Sequence, residues 1–204
     1  MMRLYIVRHG ETQWNAEARA QGSQNVQLTE NGINQARLLA NRIQHYPIHA
    51  IYSSDLDRAY ETAKIIGKKI NLEVNILNEL REMSFGKWEG LTMDEIQQKY
   101  HDHYIVWRST PHQAEIPDGE RLLDVQTRSL KAVHQLLKRH KDQNILIVSH
   151  GVTIKSMILG LMDIELSNFY KIRQDNACLN IIEFREYGPV LVTLNDTAHL
   201  ENIA

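Results

Sequence analysis

The chain has 204 residues, 43% of them hydrophobic and 24% charged, with a formal net charge of -2, which suits one folded domain with its own core and excludes a disordered or fibrous chain. That charge lacks the positive excess that nucleic acid or anionic lipid would draw on, so no partner of either kind is expected and any anion site has to be local. No stretch nears the ~18 consecutive apolar residues of a membrane span, Met1–Val7 is too short for a secretory signal, and the single cysteine, Cys178, forms no internal disulfide and reads as a small buried hydrophobe, so a cytoplasmic location is expected.

Arg3–Val7 reads as a short buried strand that ends at Arg8-His9, with Gly10-Glu11-Thr12 as a turn leading away from it. Ile33, Ala36, Leu39, Ala40 and Ile43 recur at helical spacing, Pro47 closes that helix, and His49–Tyr52 forms the next strand. Ser53 and Ser54 are N-cap candidates for a helix carrying Leu56, Ala59, Ala63 and Ile66, which puts Arg58 in its first turn. Leu72–Ile76 is a third strand, followed by Glu79–Glu82 and the glycine- and aromatic-rich stretch Phe85–Gly90, whose composition marks a functional loop. Thr92 and Glu95 make a capping box for a helix to about Tyr104, and Pro111–Gly119 is a polar connection. Leu122, Val125, Leu130, Val133, Leu136 and Leu137 line one face of a long helix, and the strand Ile145–Val148 then ends in Ser149-His150-Gly151. A last helix (Val152, Ile154, Met157, Ile158, Leu161) and a hairpin turning around Gly188-Pro189 complete the chain. The alternation predicts a three-layer α/β/α sandwich with a mostly parallel central sheet, formed by residues 1–204 as a single domain, in which about 83–118 make a small helical cap region.

Ligands bind beyond the carboxyl ends of strands in such sheets, and His9 and His150 both leave a strand there, each followed by glycine. Arg8 adjoins the first, and Arg58 lies near a helix N-terminus that already favours an anion. Arginine forks bind two oxygens of a phosphate, and a protonated His150 would add a third cationic donor. His9 must keep one ring nitrogen free to attack phosphorus, and the arginines discourage a charge on it. Departure of an alkoxide requires a proton, for which Glu82 is the candidate donor. His101 and His103 stand at i, i+2 on a helix without a matching acidic partner, so they make no metal site. Trp88 and Trp107 serve equally as packing or as pocket lining. His199 reads as a structural hydrogen-bonding residue, or as part of a tail that folds over the site.

With these residues in place, the chain resembles the histidine phosphatase superfamily, also called phosphoglycerate-mutase-like, along nearly its whole length. The resemblance rests on Leu4–Asn15, Leu28–Gly32, Ile51–Ala59, Leu80–Gly90 and Val148–Gly151. It implies that His9 becomes phosphorylated, that Arg8, Arg58 and His150 hold the phosphate, and that Glu82 protonates the leaving group and then activates water. It also implies phosphate contacts from Asn15, Gln21, Gly22 and Gly151. No metal and no cofactor are expected, because cationic side chains take over the charge neutralisation.

In mutases of the family this loop resembles Glu-Arg-His-Tyr-Gly with a lysine further on, whereas Met83, Ser84 and Phe85 follow Glu82 here and Met93 stands where that lysine would fall. The 36 residues between Glu82 and Gly119 are fewer than the mutases carry. Gly119-Glu120-Arg121 with Asp124-Val125-Gln126 matches the broad-specificity phosphatase branch. The expected function is therefore hydrolysis of small phosphomonoesters, with a cofactor-dependent phosphoglycerate mutase and a non-catalytic phospho-ligand binder as alternatives. Phe85, Trp88, Met93 and Trp107 give the cap an apolar side suited to a hydrophobic or aromatic ester. Phosphoglycerate, sugar phosphates, phosphoserine and α-ribazole phosphate stay open, although phosphoserine-specific relatives place a histidine where Phe85 stands. The chain is expected to act as a monomer or a homodimer.

Overall fold

Four stretches too short for helices form the parallel part of one sheet, whose central strands are covered on both faces by the connecting helices. The structure, a computed structural model, describes residues 2–201. The strands are β1 (Met2–Arg8), β2 (Ala50–Ser53), β3 (Val74–Ile76), β4 (Ile145–Ser149), β5 (Leu179–Arg185) and β6 (Gly188–Asp196). They lie in the order β3-β2-β4-β1-β5-β6. The pairs among β3, β2, β4 and β1 are parallel, and β5 and β6 add an antiparallel margin.

Helices α2 (Glu30–Ile43) and α3 (Asp57–Ile70) cover one face, packing with Tyr5, Val7, Leu146 and Val148. Helices α6 (Leu122–Arg139) and α7 (Gly151–Leu161) cover the other, with Leu4, Ile6, Ile145 and Ile147. The expected three-layer α/β/α sandwich is the observed fold. Ile6, Val7, Ile147 and Val148 are fully buried, worth roughly 1.5–3 kcal/mol apiece in apolar transfer, so the strands that carry the two histidines are held firmly.

The connection after β1 runs to the α2 face, whereas β4 passes into α7 on the other. The chain thus diverges at the carboxyl ends of the neighbouring strands β1 and β4, which makes a crevice there.

Several sequence-based expectations are corrected. Leu56, not Ser53 or Ser54, precedes α3, and no side chain caps it; Ser54 Oγ instead accepts from Leu56 N–H, ahead of the helix's first turn. The helix expected to run from Thr92 to Tyr104 breaks at Tyr100 (φ -132°, ψ 43°) into α4 (Met93–Lys99) and α5 (His101–Ser109). The Thr92/Glu95 capping box does start α4. The third strand begins at Val74, because Asn71 in the left-handed region ends α3 and Leu72 N–H turns back to Gly67. The hairpin turns at residues 186–187, and Pro189 sits inside β6 paired with Phe184, which an edge strand tolerates. A short helix, α1 (Gln13–Ala16), follows the first turn through a Thr12/Asn15 capping box.

Candidate functional site

The register of β1 on β4 sets Arg8 opposite Ser149, so the next residues, His9 and His150, leave the sheet side by side. His9 N–H donates to the Ser149 carbonyl at 3.1 Å, and the two rings stand 5.2 Å apart between centroids. His9 Nδ1 lies 2.7 Å from the Gly10 carbonyl. A carbonyl only accepts, so Nδ1 carries the hydrogen and Nε2 keeps its lone pair. Gly10 is required for this turn: a Cβ there would come within 2.4 Å of the Gly32 carbonyl oxygen.

Arg8, His9, Asn15, Gln21, Gly22, Arg58 and Glu82 line one cavity of about 180 Å³. Arg19, Ala20, Phe85, Trp88, Met93 and Trp107 complete its wall. Two of the residues expected at the phosphate stand behind this lining. His150 is fully buried beside His9, and a Cβ on Gly151 would sit 3.5 Å from Arg8 Nε.

Both arginines spend part of their forks on the protein itself. Arg58 Nη1 and Nη2 donate to the Gln24 and Gly22 carbonyls, each at 2.7 Å. This leaves Nε–H and one hydrogen on each Nη. Arg8 Nη1 donates to the Gln174 carbonyl at 2.6 Å. Gly22 bends at φ +53°, with Glu89 packed where a Cβ would go. The Glu89 carboxylate accepts from Ser23 N–H, Gln24 Nε2 and Phe85 N–H, tying the loop under Arg58 to the aromatic wall. Asn15 Oδ1 accepts from Thr12 N–H and Asn176 Nδ2, which leaves its Nδ2 as the donor on the cavity side.

Glu82 belongs to a different kind of contact. Its Oε1 accepts from Met83 N–H (2.9 Å) and Thr153 N–H (3.1 Å), and its Oε2 accepts from Val152 N–H (3.1 Å). The side chain of α7's own N-cap residue, His150, does not cap that helix. The Glu82 carboxylate does so by direct bonds from its own segment, where the helix end favours negative charge.

The electrostatics follow from burial. Arg58 is 1% exposed, and desolvation pushes its guanidinium down to about 10, while Arg8 is lowered for the same reason. Burial first, then Arg58 and Arg8, drives His9 well below the ordinary imidazole value. Burial first, then Arg58, His9 and Arg8, does the same to His150. The expectation of a cationic His150 is thereby corrected for the free protein, since both imidazoles are neutral near pH 7. Among the described residues, Arg8 Nε, Arg58 Nε, Gln21 Oε1 and both His150 nitrogens are buried without a hydrogen-bond partner. Such groups are costly unless a ligand satisfies them. Gln21 Oε1 only accepts, but the guanidinium and imidazole groups can donate, and their concentration around one cavity is what an anion site requires.

The aromatic wall is built around Trp107. Its ring meets Phe85 at 5.8 Å, Trp88 at 6.3 Å and Phe169 at 5.7 Å. Arg19, which the sequence did not single out, is held at the cavity edge by the Gly90 carbonyl, Glu17 and Glu95. Lys155 was also missed: its ammonium lies 4.6 Å from the Phe169 ring centre, within the fields of Arg8 and Glu82. Neither carries a local signal that separates it from a solvated helix or loop cation. His199 lies outside the cavity lining; its Nε2 donates to the Ala177 carbonyl at 3.0 Å and Arg42 Nη1 approaches its Nδ1. Cys178 is buried, its thiol pushed up to about 11 by burial. Among the described residues no cluster of three or more His, Cys, Asp or Glu stands where it could hold a metal ion, and no helix is long and apolar enough to cross a membrane.

Residues 4–197 match the histidine phosphatase superfamily (branch 1). The chain is 36% identical over 200 residues to phosphoserine phosphatase 1 of Hydrogenobacter thermophilus, covering 98% of this chain and 95% of that protein. It is 33% identical over 206 residues to a probable phosphoglycerate mutase, GpmB, of Yersinia pestis, covering 98% and 96%. Among solved structures, YhfR of Bacillus stearothermophilus superposes with a TM-score of 0.93 at 36% identity, covering 98% of this chain and all of that one. The phosphoserine phosphatase of Entamoeba histolytica, in complex with phosphoserine, gives 0.89 at 33% identity over the same shares. A strand-end histidine pair, the buried Arg58 with the half-buried Arg8, and a match over residues 4–197 all agree: the chain belongs to the histidine phosphatase superfamily, branch 1.

Proposed function

We propose that this chain is a metal-independent phosphatase that hydrolyses small phosphomonoesters through a phosphohistidine on His9, with Glu82 as general acid and then general base. The observation that carries the reading is the convergence on one cavity of a histidine with a fixed lone pair and two buried, incompletely bonded guanidinium groups.

His9 Nε2 attacks phosphorus in line, the bond from phosphorus to the ester oxygen breaks, and Glu82 gives that oxygen a proton. Water then attacks the phosphohistidine, Glu82 takes the water's proton, and the P–N bond breaks to return the electron pair to Nε2. Arg8, Arg58 and His150 neutralise the equatorial oxygens, with Asn15, Gln21, Gly22 and Gly151 completing the cradle. Oε2 of Glu82 accepts one hydrogen bond and so keeps a lone pair that can carry the proton. The segment 83–118 acts as the cap, and its apolar side chains Phe85, Trp88, Met93 and Trp107 pack on the organic part of the ester. A cavity of about 180 Å³ suits a phosphate with a short substituent, such as phosphoserine or phosphoglycerate. The buried, unpaired Cys178 fits a reducing cytoplasm.

The resemblance to GpmB favours a second reading, cofactor-dependent phosphoglycerate mutase. Phosphate release from a panel of esters in EDTA, comparing the native chain with His9→Ala, separates the two. Metal-free release that needs His9 is expected. Isomerisation of 3-phosphoglycerate that depends on 2,3-bisphosphoglycerate, without phosphate release, would establish the mutase instead.

A further inference from the structure

One motif of the sequence has no part in that chemistry. Gly119-Glu120 and, further along the next helix, Arg128 lie outside the cavity lining, yet they meet the backbone that carries Glu82. Arg128, on α6, gives most of its guanidinium donors to that segment. Its Nη1 donates to the Glu79 and Arg81 carbonyls at 2.7 and 2.8 Å, and its Nη2 donates to the Glu82 carbonyl at 3.1 Å. Its Nε and Nη2 also grip the Glu120 carboxylate at 2.9 and 3.0 Å.

Glu120 closes the other side. Its Oε2 accepts from Ser84 N–H at 2.9 Å, and its own N–H donates to the Ser84 carbonyl at 2.9 Å. Gly119 lets the two backbones meet, since a Cβ there would come within 2.8 Å of the Ser84 carbonyl oxygen. The remaining carbonyl of the segment, Leu80, accepts from Ser149 Oγ at 2.8 Å. Each carbonyl from residue 79 to 82 is therefore held by a side chain from α6, the end of β4 or α7.

We infer that Arg128, braced by Glu120, is a positioning residue that fixes the main chain on either side of Glu82 and so aims the Glu82 carboxylate at the leaving group. The inference rests on the assignment of Glu82 as general acid and base. A planar guanidinium is suited to this task because its donors are set in a rigid fork, and three main-chain carbonyls converge on it. A lysine could hold one or two of them but could not fix their relative positions. A displacement of about 1 Å in a catalytic group costs on the order of 10²-fold in rate, so a loosened segment has a measurable consequence even though Arg128 touches no substrate.

The experiment is a cycle of Arg128→Lys and Glu82→Gln, assayed with an alkyl phosphate, whose leaving group needs a proton, and an aryl phosphate, which needs it less. Arg128→Lys is expected to lower kcat on the alkyl ester by roughly 10²-fold, with little change in KM and a much smaller effect on the aryl ester. In the Glu82→Gln background the same substitution should cost no more than about twofold, because a residue that acts through Glu82 has nothing left to position. Glu120→Gln, which leaves the carbonyl contacts of Arg128 in place, should show the same leaving-group selectivity at smaller size and provides the reading if Arg128→Lys does not fold. Losses that are equal for both esters, or that multiply in the double variant, overturn the inference while leaving Glu82 its role. A Glu82→Gln variant without leaving-group selectivity overturns that role and the inference together.

Discussion

The carboxyl ends of β1 and β4 carry the same short pattern of strand, histidine and glycine, yet they present their imidazoles in opposite ways. His9 has its tautomer fixed by the Gly10 carbonyl, so the nitrogen that attacks is defined before any ligand arrives. His150 has no hydrogen bond at either nitrogen, and the first N–H groups of the helix it precedes are taken by Glu82. The cause is the backbone path beyond each strand. β1 runs into a turn whose carbonyl returns to the ring, while β4 runs straight into α7. A nucleophile has to be oriented in advance. A group that serves as an electrostatic partner can take its orientation from the anion it binds and its proton from solvent as that anion arrives.

Three substitutions test that contrast at decreasing size. His9→Ala should lower phosphate release by at least about 10⁴-fold, because loss of the nucleophile removes the covalent route altogether. Recovery of near-native turnover would remove His9 from that role. Arg58→Ala should cost about 3 kcal/mol of transition-state stabilisation, roughly the worth of one oxyanion donor, and unchanged kcat/KM would place Arg58 outside the chemistry. His150→Gln should cost less than His9→Ala, on the order of 10²-fold.

A sharper discrimination uses protons instead of rates. His150 is neutral in the free protein, and a phosphate dianion beside it favours the charged ring. Phosphate binding near pH 7 should therefore take up a proton, seen as a binding heat that changes with the ionisation enthalpy of the buffer. The uptake should fall in His150→Gln and stay unchanged in His9→Asn. The reverse pattern would exchange the roles of the two rings.

Much of this site was legible because its signals are local. Arg8 and His9 follow an apolar stretch that can only be a buried strand, and Arg58 sits two residues after a turn that starts a helix. The rest was not legible, because it depends on contacts across the chain. Nothing in the sequence states that β1 pairs with β4 in the register that sets the two histidines side by side. Glu82 reads as a loop carboxylate, and its bonds to Val152 and Thr153 come from a segment 70 residues away. Arg128 falls at a position of α6 where a solvated arginine is ordinary, and only the folded carbonyls of residues 79–82 give it a task. The break at Tyr100 had no proline or glycine to announce it. Tyr100 is half-buried against the Trp88 ring at 6.5 Å, and tertiary packing there overrides the helical pattern.

The last effect concerns stability, and it arises from the same buried imidazoles. In the unfolded chain each titrates near 6.5, whereas in the folded protein each is held well below that value. As pH falls below about 6.5 the unfolded state binds protons that the folded state refuses, so the free protein should lose stability. The limiting slope is about 1.4 kcal/mol per pH unit for each imidazole, with His199, also lowered by burial, adding a smaller part. Depressed carboxylates such as Asp196, at about 2, act only further into the acid range. Denaturant unfolding between pH 7 and pH 5 should therefore show a slope that His150→Gln reduces by one proton. Saturating phosphate should flatten it as well, because the bound dianion restores the charged ring in the folded state. A slope that is the same in the native chain, in His150→Gln and in the phosphate complex would mean that these imidazoles reach solvent, and the contrast between the two strand ends would fail with it.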